Sequence, residues 1–453
     1  MRISTLSMAT VTTLVIAGAA AAEEQLFPAT LAGHAILPAL TLIAPPVDAP
    51  ADAAISGKFT GAARNADVGT VMGDTGALHG KRPTGISLPF AGQPLQGLSG
   101  YAMVRGADGA LVTLTDNGFG AKANSADAML FFHKMLPDFA AGTIAVQQTV
   151  FLHDPDFKVP FRIAYEGTDA RYLTGADFDP ESIQVIGDEV WIGEEFGPSI
   201  IRATMDGRII AVYPTMVGDV VLKSADHPTV SAVSAAGKDW TVPRSGGYEG
   251  MALQPDTGLL WAMLEKPLLG ADGQPEGTFL RVMAFDPAAA AWTGAAFKFA
   301  LAEGATAIGD FNFIDATRAL VIERDNGEGD PSLKCTGDPA PDCFPNPAMI
   351  KRVVLIDTAT VDANGFVRRI GHIDLMNIAD PNGLARIETV AARDLVGVLT
   401  FPFFTIEDVV AISDTQIIVG NDNNLPYSSG RALDAAADNE MILLDVPELL
   451  AAR

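Results

Sequence analysis

Short apolar runs recur along the chain, and many of them begin or end at acidic or amide side chains. In the recurring unit, one apolar run opens at an acidic residue, a tight turn follows, and a second run closes on Glu, Asp or Asn. The four clearest copies cover residues 181–195, 249–265, 310–325 and 407–422, and a weaker copy covers residues 99–118. The opening and closing acids of the four copies lie 14, 16, 15 and 15 residues apart, so the unit has a nearly constant length.

This pattern predicts β-hairpins that carry polar side chains at one end. An antiparallel hairpin places its first and last residues side by side, so each copy brings two oxygen-bearing side chains together. Five such ends facing a common centre would form a crowded acidic ring, which is a natural site for a hard cation. We therefore expect these carboxylates, distant along the chain, to meet in one cavity.

The spacing of the apolar runs indicates an all-β fold. From about residue 56 onward, Gly, Asp and Pro separate the runs every eight to twelve residues. The hairpins that open at residues 181, 249, 310 and 407 start 68, 61 and 97 residues apart, and this long repeat predicts a β-propeller of six blades. We expect residues 441–445 to pair with an N-terminal strand and close the ring. Helices are expected only near residues 123–136 and 447–452.

The N-terminal residues have the composition of a secretory signal. Residues 1–22 combine an early Arg2 with a short apolar segment and small residues before Glu23. We expect a signal peptide at 1–22, a leader segment at 23–55 and a single domain at 56–453. We therefore expect the protein to be periplasmic or secreted and to have no integral membrane anchor. We also expect it to be a monomer.

Two cysteines, Cys335 and Cys343, lie in one Pro-rich segment. An exported chain meets an oxidising compartment, so we predict a disulfide that staples a loop insertion.

The formal net charge of −25 excludes nucleic acid as an expected partner, because phosphate backbones require basic surface.

The hairpin ends provide the candidate metal ligands. Calcium takes six to eight oxygen ligands from carboxylates, amides and carbonyls, and this set is rich in them. The alternative is that acids and Asn flank strands only because they favour turns. The candidate ligands are Asp116, Asn117, Glu181, Glu249, Glu265, Glu323, Asn326, Glu407, Asp422 and Asn423.

Three further residues are candidates for catalysis. Glu195 or Asp325 would act as a general base, and Arg324, a lone base among acids, would bind a phosphate or carboxylate group. The alternative for Arg324 is an ion pair with a neighbouring carboxylate. The chain lacks the Gly-x-Ser-x-Gly, HExxH and Walker motifs, so hydrolysis here would depend on a metal.

Several of these segments resemble the bacterial phytase-like family, which is also called the "esterase-like activity of phytase" family. The resemblance covers roughly residues 95–445. The segments that carry it are 97–100, 115–118, 179–183, 193–199, 248–252, 323–326 and 421–424. It implies an exported β-propeller related in outline to calcium-dependent alkaline phytases, and so a phytase-like domain at 56–453.

Three functions are compatible with these observations. The first is calcium-dependent hydrolysis of a small phosphate ester, because few basic residues lie near the motifs to hold a polyphosphate. The second is a calcium-dependent lactonase or carboxylesterase. The third is a non-catalytic binding propeller in which calcium is structural.

Overall fold

A computed structural model describes residues 24–61, 63–103, 109–230, 239–338, 340, 342–387 and 397–453. The predicted signal peptide, residues 1–22, lies outside the described residues. The fold is all-β, as the spacing of apolar runs predicts. Within the described part of the chain, no helix combines the length and the hydrophobicity needed to cross a bilayer.

Most strands in the described residues fall into five groups of four antiparallel strands, here called sheets 1 to 5. A parallel bridge between Ile36 and Thr143 joins sheets 5 and 1 into one continuous sheet, and Gln25–Leu26 adds a parallel fifth strand to sheet 4. Sheet 1 contains Leu98–Met103, Leu111–Thr115, Phe131–Asp138 and Thr143–Phe151. Sheet 2 contains Pro180–Ile186, Glu189–Glu194, Ser199–Thr204 and Ile209–Pro214. Sheet 3 contains Tyr248–Leu253, Leu260–Leu264, Phe279–Asp286 and Ala291–Ala300. Sheet 4 contains Ala307–Phe313, Arg318–Arg324, Lys351–Val361 and Val367–Asp374. Sheet 5 contains Asp408–Ala411, Gln416–Gly420, Asn439–Asp445 and Thr30–Leu37.

The other elements are short. The remaining strands are Gln25–Leu26, Leu42–Ile43, Val71–Asp74, Pro83–Leu88, Gln93–Pro94, Met216–Val217, Val220–Val221, Ile378–Ala379 and Val398–Leu399. Two 3-10 turns cover Ala51–Ala54 and Pro331–Leu333, and one α-helix covers Pro447–Ala451. This helix confirms the prediction near the C-terminus. The helix expected at 123–136 is wrong, because Phe131–Asp138 forms a strand whose apolar residues alternate across a sheet.

The first strands of the five sheets meet around a common axis. Gln184 Nε2 of sheet 2 donates to the carbonyl of Met251 in sheet 3 at 2.8 Å. The backbone N–H of Val409 in sheet 5 donates to Asp310 of sheet 4 at 2.8 Å. The N–H of Gly100 in sheet 1 donates to Asp408 of sheet 5 at 2.7 Å.

Close backbone contacts complete this ring. A Cβ atom on Gly100 would lie 3.0 Å from the backbone of Ser182 in sheet 2, and one on Gly250 would lie 2.8 Å from the side chain of Phe311 in sheet 4. A Cβ on Gly309 would lie only 1.8 Å from the carbonyl oxygen of Ile406. Glycine is therefore required at Gly309 for sheets 4 and 5 to approach each other.

Five apolar clusters fill the spaces between successive sheets. The cluster between sheets 2 and 3 contains Trp191, Tyr248 and Leu260, while Trp261 packs against the cluster between sheets 3 and 4. The clusters between sheets 1 and 2, 4 and 5, and 5 and 1 are built in the same way. Each sheet thus buries both faces, which gives the molecule a propeller-like architecture.

The last sheet joins the two ends of the chain. Thr30–Leu37 pairs antiparallel with Asn439–Asp445, which confirms the predicted closing sheet and places part of the expected leader segment within the fold. Six blades were predicted, and the described residues show five groups of four antiparallel strands, two of which join in one continuous sheet. The segment between this N-terminal strand and sheet 1 contains two two-stranded sheets, and these do not join the ring.

A buried ionic group fastens the closing sheet. Glu440 accepts hydrogen bonds from Arg431 at 2.7 Å and lies 2.9 Å from His34 Nε2 on the N-terminal strand. Burial alone would raise the pKa of Glu440, but Arg431 and His34 lower this pKa to about 2. Since the folded pKa lies below the unfolded one, this carboxylate stabilises the fold above about pH 4.5 and loses that contribution as the pH falls towards 2.

Glu440→Gln tests this contribution. We expect the free energy of unfolding at pH 7 to fall by about 2–3 kcal/mol, because Arg431 loses its charged partner. The difference from wild type should shrink as the pH decreases from 5 to 3.5 in urea titrations. Exposed Glu448→Gln should change stability by less than about 0.5 kcal/mol at every pH. A difference for Glu440→Gln that is constant with pH would contradict the prediction.

The predicted disulfide is present. Cys335 and Cys343 are bonded, with Cα atoms 5.0 Å apart. The bond closes a loop between the second and third strands of sheet 4.

Candidate active site at the axis

The polar ends of the hairpins meet in a cavity of about 340 Å³ at the axis of the ring. Eight carboxylates line it, from Asp116, Asp179, Glu181, Glu195, Glu249, Glu265, Glu407 and Asp422. Two cationic side chains, Lys266 and Arg324, line the same cavity. The remaining polar lining comes from Asn117, Ser245, Thr306, Asn326 and Asn424, and Phe404 provides an aromatic wall.

Irregularities in the first strand of the hairpins help to direct the opening acids towards the axis. The pairing register shifts between Pro180 and Ser182, which brackets Glu181, and between Tyr248 and Gly250, which brackets Glu249. A β-bulge leaves one residue out of the ladder and re-aims its side chain. The acids can therefore leave the regular alternation of the strand and face the cavity.

Ten of the thirteen residues predicted from the sequence line this cavity. They are Asp116, Asn117, Glu181, Glu195, Glu249, Glu265, Arg324, Asn326, Glu407 and Asp422. The five hairpin ends therefore converge, although they lie more than 300 residues apart in sequence at the extremes.

The other three predicted residues lie outside the lining and have structural partners. Glu323 is buried and pairs with Arg369 at 2.9 Å. Asp325 accepts hydrogen bonds from the N–H groups of Met349 and Ile350, at 2.8 and 2.9 Å. Asn423 accepts a hydrogen bond from the N–H of Gly97 at 3.1 Å.

Asp179 and Lys266 also line the cavity but were not among the site residues predicted from the sequence. Asp179 lies two residues before Glu181, and the N–H of Glu195 donates to its carbonyl at 2.9 Å, so it occupies the end of the same hairpin. Lys266 follows Glu265 directly, and its Nζ lies 2.9 Å from that carboxylate. Adjacency to an already chosen hairpin end was the signal that could have identified both.

Arg324 is held among three carboxylates. Its Nη2 atom lies 3.4 Å from Glu249, 3.1 Å from Glu265 and 3.4 Å from Glu407. These carboxylates raise the pKa of Arg324 further, although burial opposes its charge. The ion-pair alternative considered for Arg324 is therefore correct, and the residue also faces the cavity.

Ser99 connects two of the opening acids. Its hydroxyl lies 2.6 Å from Glu181 Oε2 and 3.0 Å from Glu407 Oε2. Since one hydroxyl has one proton, it donates to one carboxylate at a time. Ser99, the polar residue that begins the weaker hairpin at residues 99–118, therefore contacts the same group of axial carboxylates.

Burial and mutual repulsion strongly perturb the carboxylates in the metal-free protein. Burial, with the neighbouring acids, raises the pKa of Asp179 to about 6 and that of Glu407 to about 8. The same causes raise the pKa of five others well above the ordinary range. These are Asp116, Glu181, Glu195, Glu249 and Asp422. Two cationic side chains do not offset eight carboxylates, so the cavity favours an added cation.

The geometry of the oxygens fits a hard cation. Oxygens of Asp179, Glu181 and Glu195 lie within 4.8 Å of one another, and so do oxygens of Glu195, Glu249 and Glu265. Asp179 Oδ1 and Glu195 Oε1 are buried and have no hydrogen-bond partner. A set of carboxylate and amide oxygens without nitrogen or sulfur ligands matches the preference of calcium.

A family model described as phytase-like, esterase-like activity of phytase, matches residues 93–425. No curated protein matches the chain.

Solved structures resemble the chain only distantly. A luciferin-regenerating enzyme shares 8% identity over 79% of each chain, with a TM-score of 0.35. A glutaminyl cyclase from Myxococcus xanthus shares 11% identity over 78% of this chain and 91% of its own, with a TM-score of 0.34. A GH43 endo-arabinanase from Bacillus licheniformis shares 10% identity over 78% of this chain and 94% of its own, with a TM-score of 0.33. Similarity at this level carries no information about activity.

Proposed function

The chain belongs to the phytase-like family, also called "esterase-like activity of phytase". On this basis we propose that it is an exported, calcium-dependent hydrolase of small phosphate esters. The observation that supports this proposal most strongly is the axial cavity, in which eight carboxylates and two cationic side chains meet. The Cys335–Cys343 disulfide supports export to an oxidising compartment. The substrate would be a small molecule bound by a monomer.

Two groups of carboxylates would hold calcium. We assign the ligands to Asp179 and Glu181 on one side and to Glu249 and Glu265 on the other. Glu195, which lies close to both groups, is kept as the catalytic base. Asp116, Asn117, Asn326, Glu407 and Asp422 line the same cavity and would complete the oxygen shell. Glu323, Asp325 and Asn423 are left out of this proposal, because their side chains have the structural partners described above. Bound calcium would offset the charge of a phosphate group and lower the pKa of a water molecule.

The chain's own residues would perform three tasks. Lys266 and Arg324 would attract and orient the anionic group of the substrate. Glu195, whose Oε1 is free of hydrogen bonds, would accept the proton of the attacking water. Arg324, fixed by three carboxylates, would stabilise negative charge on the transferred group in a position that requires no reorganisation.

The number of cationic side chains limits the substrate. A polyphosphate carries many charges and requires several Lys and Arg side chains, whereas this cavity offers two. A volume of about 340 Å³ is also small for a ligand site. A monoester or diester with a single phosphate group therefore fits better than a polyphosphate.

A panel of 4-nitrophenyl phosphate, bis(4-nitrophenyl) phosphate, 4-nitrophenyl acetate and a γ-lactone, each with calcium or with EGTA, tests the activity. We expect calcium-dependent turnover of a phosphate substrate. Glu195→Gln should lower kcat by about 10²–10⁴-fold, while exposed Glu303→Gln should leave kcat unchanged.

The panel also separates the alternatives. The words esterase-like activity in the family description support the lactonase or carboxylesterase alternative. Turnover of the acetate or lactone alone would establish this alternative in place of phosphate hydrolysis. If calcium stabilises the protein but none of the four substrates is turned over, the non-catalytic binding function with structural calcium is supported instead.

A further inference from the structure

A serine in a left-handed turn lines the axial cavity. Ser245 has a φ of 45° and is exposed at the cavity wall. Six residues other than glycine have a positive φ in the described part of the chain, and two of them, Ser245 and Asn424, line this cavity. Asparagine adopts this conformation more readily than serine does. Serine therefore occupies a position at which glycine would be less strained.

The turn lies between the ends of two hairpins. A Cβ atom on Gly247 would lie 2.3 Å from the Cα atom of Glu195, so the chain passes directly against the end of the hairpin at 181–195. The N–H of Glu265 donates to the carbonyl of Gly247 at 2.8 Å, which attaches the turn to the end of the hairpin at 249–265. These contacts hold the turn beside the proposed base and a proposed calcium ligand.

Lys266 fixes the conformation of this turn. Its Nζ atom donates to the carbonyl of Arg244 at 3.2 Å and to the carbonyl of Ser245, and it lies 2.9 Å from Glu265 Oε2. These three acceptors match the three N–H bonds of an ammonium group. Lys266 therefore attracts an anion through its charge, while its hydrogen bonds hold the turn in place.

The hydroxyl of Ser245 is available for hydrogen bonding to a bound molecule. Within the described residues this hydroxyl has no hydrogen-bond partner, although the carbonyl of the same residue accepts from Lys266. Ionised carboxylates only accept hydrogen bonds, so an anionic group beside Glu195 and Glu265 gains none from them. A hydroxyl at this position supplies a donor that these acids lack.

We propose that Ser245 binds the substrate by donating a hydrogen bond to a non-bridging oxygen of its phosphate group. This inference rests on the proposed hydrolysis of phosphate esters and assigns a further residue to the same site. The left-handed turn presents the hydroxyl, and Lys266 keeps the turn in that conformation. Because hydrogen bonds to charged groups are strong, loss of this hydroxyl should weaken binding of the phosphate group about tenfold.

Binding of phenylphosphonate, a non-hydrolysable analogue of an aryl phosphate, tests the role of Ser245 without requiring turnover. A ³¹P NMR titration of the calcium-loaded full-length protein should give saturable binding with a Kd of about 0.1–1 mM. Ser245→Gly removes the hydroxyl and fits the left-handed turn, so it should bind at least about fivefold more weakly. Ser245→Asn keeps a donor and tolerates this conformation, so it should recover part of the affinity.

Ala290→Gly is the matched control. Ala290 has a φ of 53° in the exposed turn between the last two strands of sheet 3, and it does not line the axial cavity. This variant should change the Kd less than about twofold. Neither glycine variant should lower the melting temperature by more than about 1 °C, because glycine adopts a positive φ without strain. Weaker binding by Ser245→Gly then reports on the hydroxyl and not on the fold.

The titrations separate this role from the proposed function. Equal affinity of wild type and Ser245→Gly would overturn the role of Ser245 and leave the proposed phosphate hydrolysis in place. Equal weakening by Ser245→Gly and Ala290→Gly would overturn it as well. No binding by the calcium-loaded wild type would contradict both, because the axial cavity would then not accept a phosphate group.

Discussion

Removing calcium with EGTA at pH 8 should lower the melting temperature of the protein by at least about 4 °C, and readdition of calcium should restore it. A ligand present at 1,000 times its Kd stabilises the folded state by about 4 kcal/mol. A cooperative unit of this size loses about 1 °C for each kcal/mol. Two bound ions would give a larger decrease. The physical reason is that the axial carboxylates lose the cation that compensates their charge.

The comparison needs a control for ionic strength and for other ions. Magnesium at the same concentration should restore less of the melting temperature, because it prefers octahedral coordination with several water molecules, whereas this cavity offers many carboxylates. Scanning calorimetry with calcium, magnesium and EGTA would provide the three values. Equal melting temperatures in calcium, magnesium and EGTA would contradict calcium binding by the axial carboxylates.

Arg324→Met should destabilise the metal-free protein by about 3–5 kcal/mol. The variant removes the positive charge that contacts Glu249, Glu265 and Glu407, and buried like charges without a partner cost this much. Urea unfolding in EGTA at pH 8 measures the difference. Arg324→Lys keeps the charge without the planar guanidinium, so it should recover only part of the lost stability.

Arg281→Met is the matched control for this variant. Arg281 pairs with Glu276 in a partly exposed position, so its loss should cost less than about 1 kcal/mol. A metal-free Arg324→Met protein as stable as wild type would show that the three carboxylates do not need this partner, and the proposed role of Arg324 would then be wrong.

The convergence of the carboxylates was predictable because it depends on local pairing. Once residues 181–195 and 249–265 are interpreted as hairpins, antiparallel geometry places their ends together. A propeller-like arrangement then brings those ends to one axis. Both steps use only the spacing of apolar and acidic residues, and the structure agrees with them at Glu181, Glu195, Glu249 and Glu265.

The orientation of individual side chains was harder to predict. In the run 323–326, Arg324 and Asn326 line the cavity, whereas Glu323 and Asp325 do not. Successive residues of an extended chain point to opposite sides, so only every second one of a polar run can face the axis. The residues predicted in this run were selected by residue type, without regard to this alternation.

The number of sheets depended on contacts that a sequence pattern does not reveal. The segment before sheet 1 contains the strands Val71–Asp74 and Pro83–Leu88. They pair with each other and remain outside the ring of four-stranded sheets. Local propensity predicts a strand, but packing against neighbouring sheets decides whether it joins a blade.

Calcium binding to purified protein, measured by equilibrium dialysis with ⁴⁵Ca after EGTA treatment, tests the central claim most directly. Glu249→Gln/Glu407→Gln keeps the shape of both side chains and removes two charges from the axis, and exposed Glu303→Gln/Glu448→Gln removes two charges elsewhere. We predict at least one bound calcium ion in wild type, an affinity about 100-fold weaker in the axial double variant, and unchanged affinity in the surface double variant. No bound calcium in wild type, or equal affinity in the two double variants, would contradict the assignment of the axial carboxylates as a metal site.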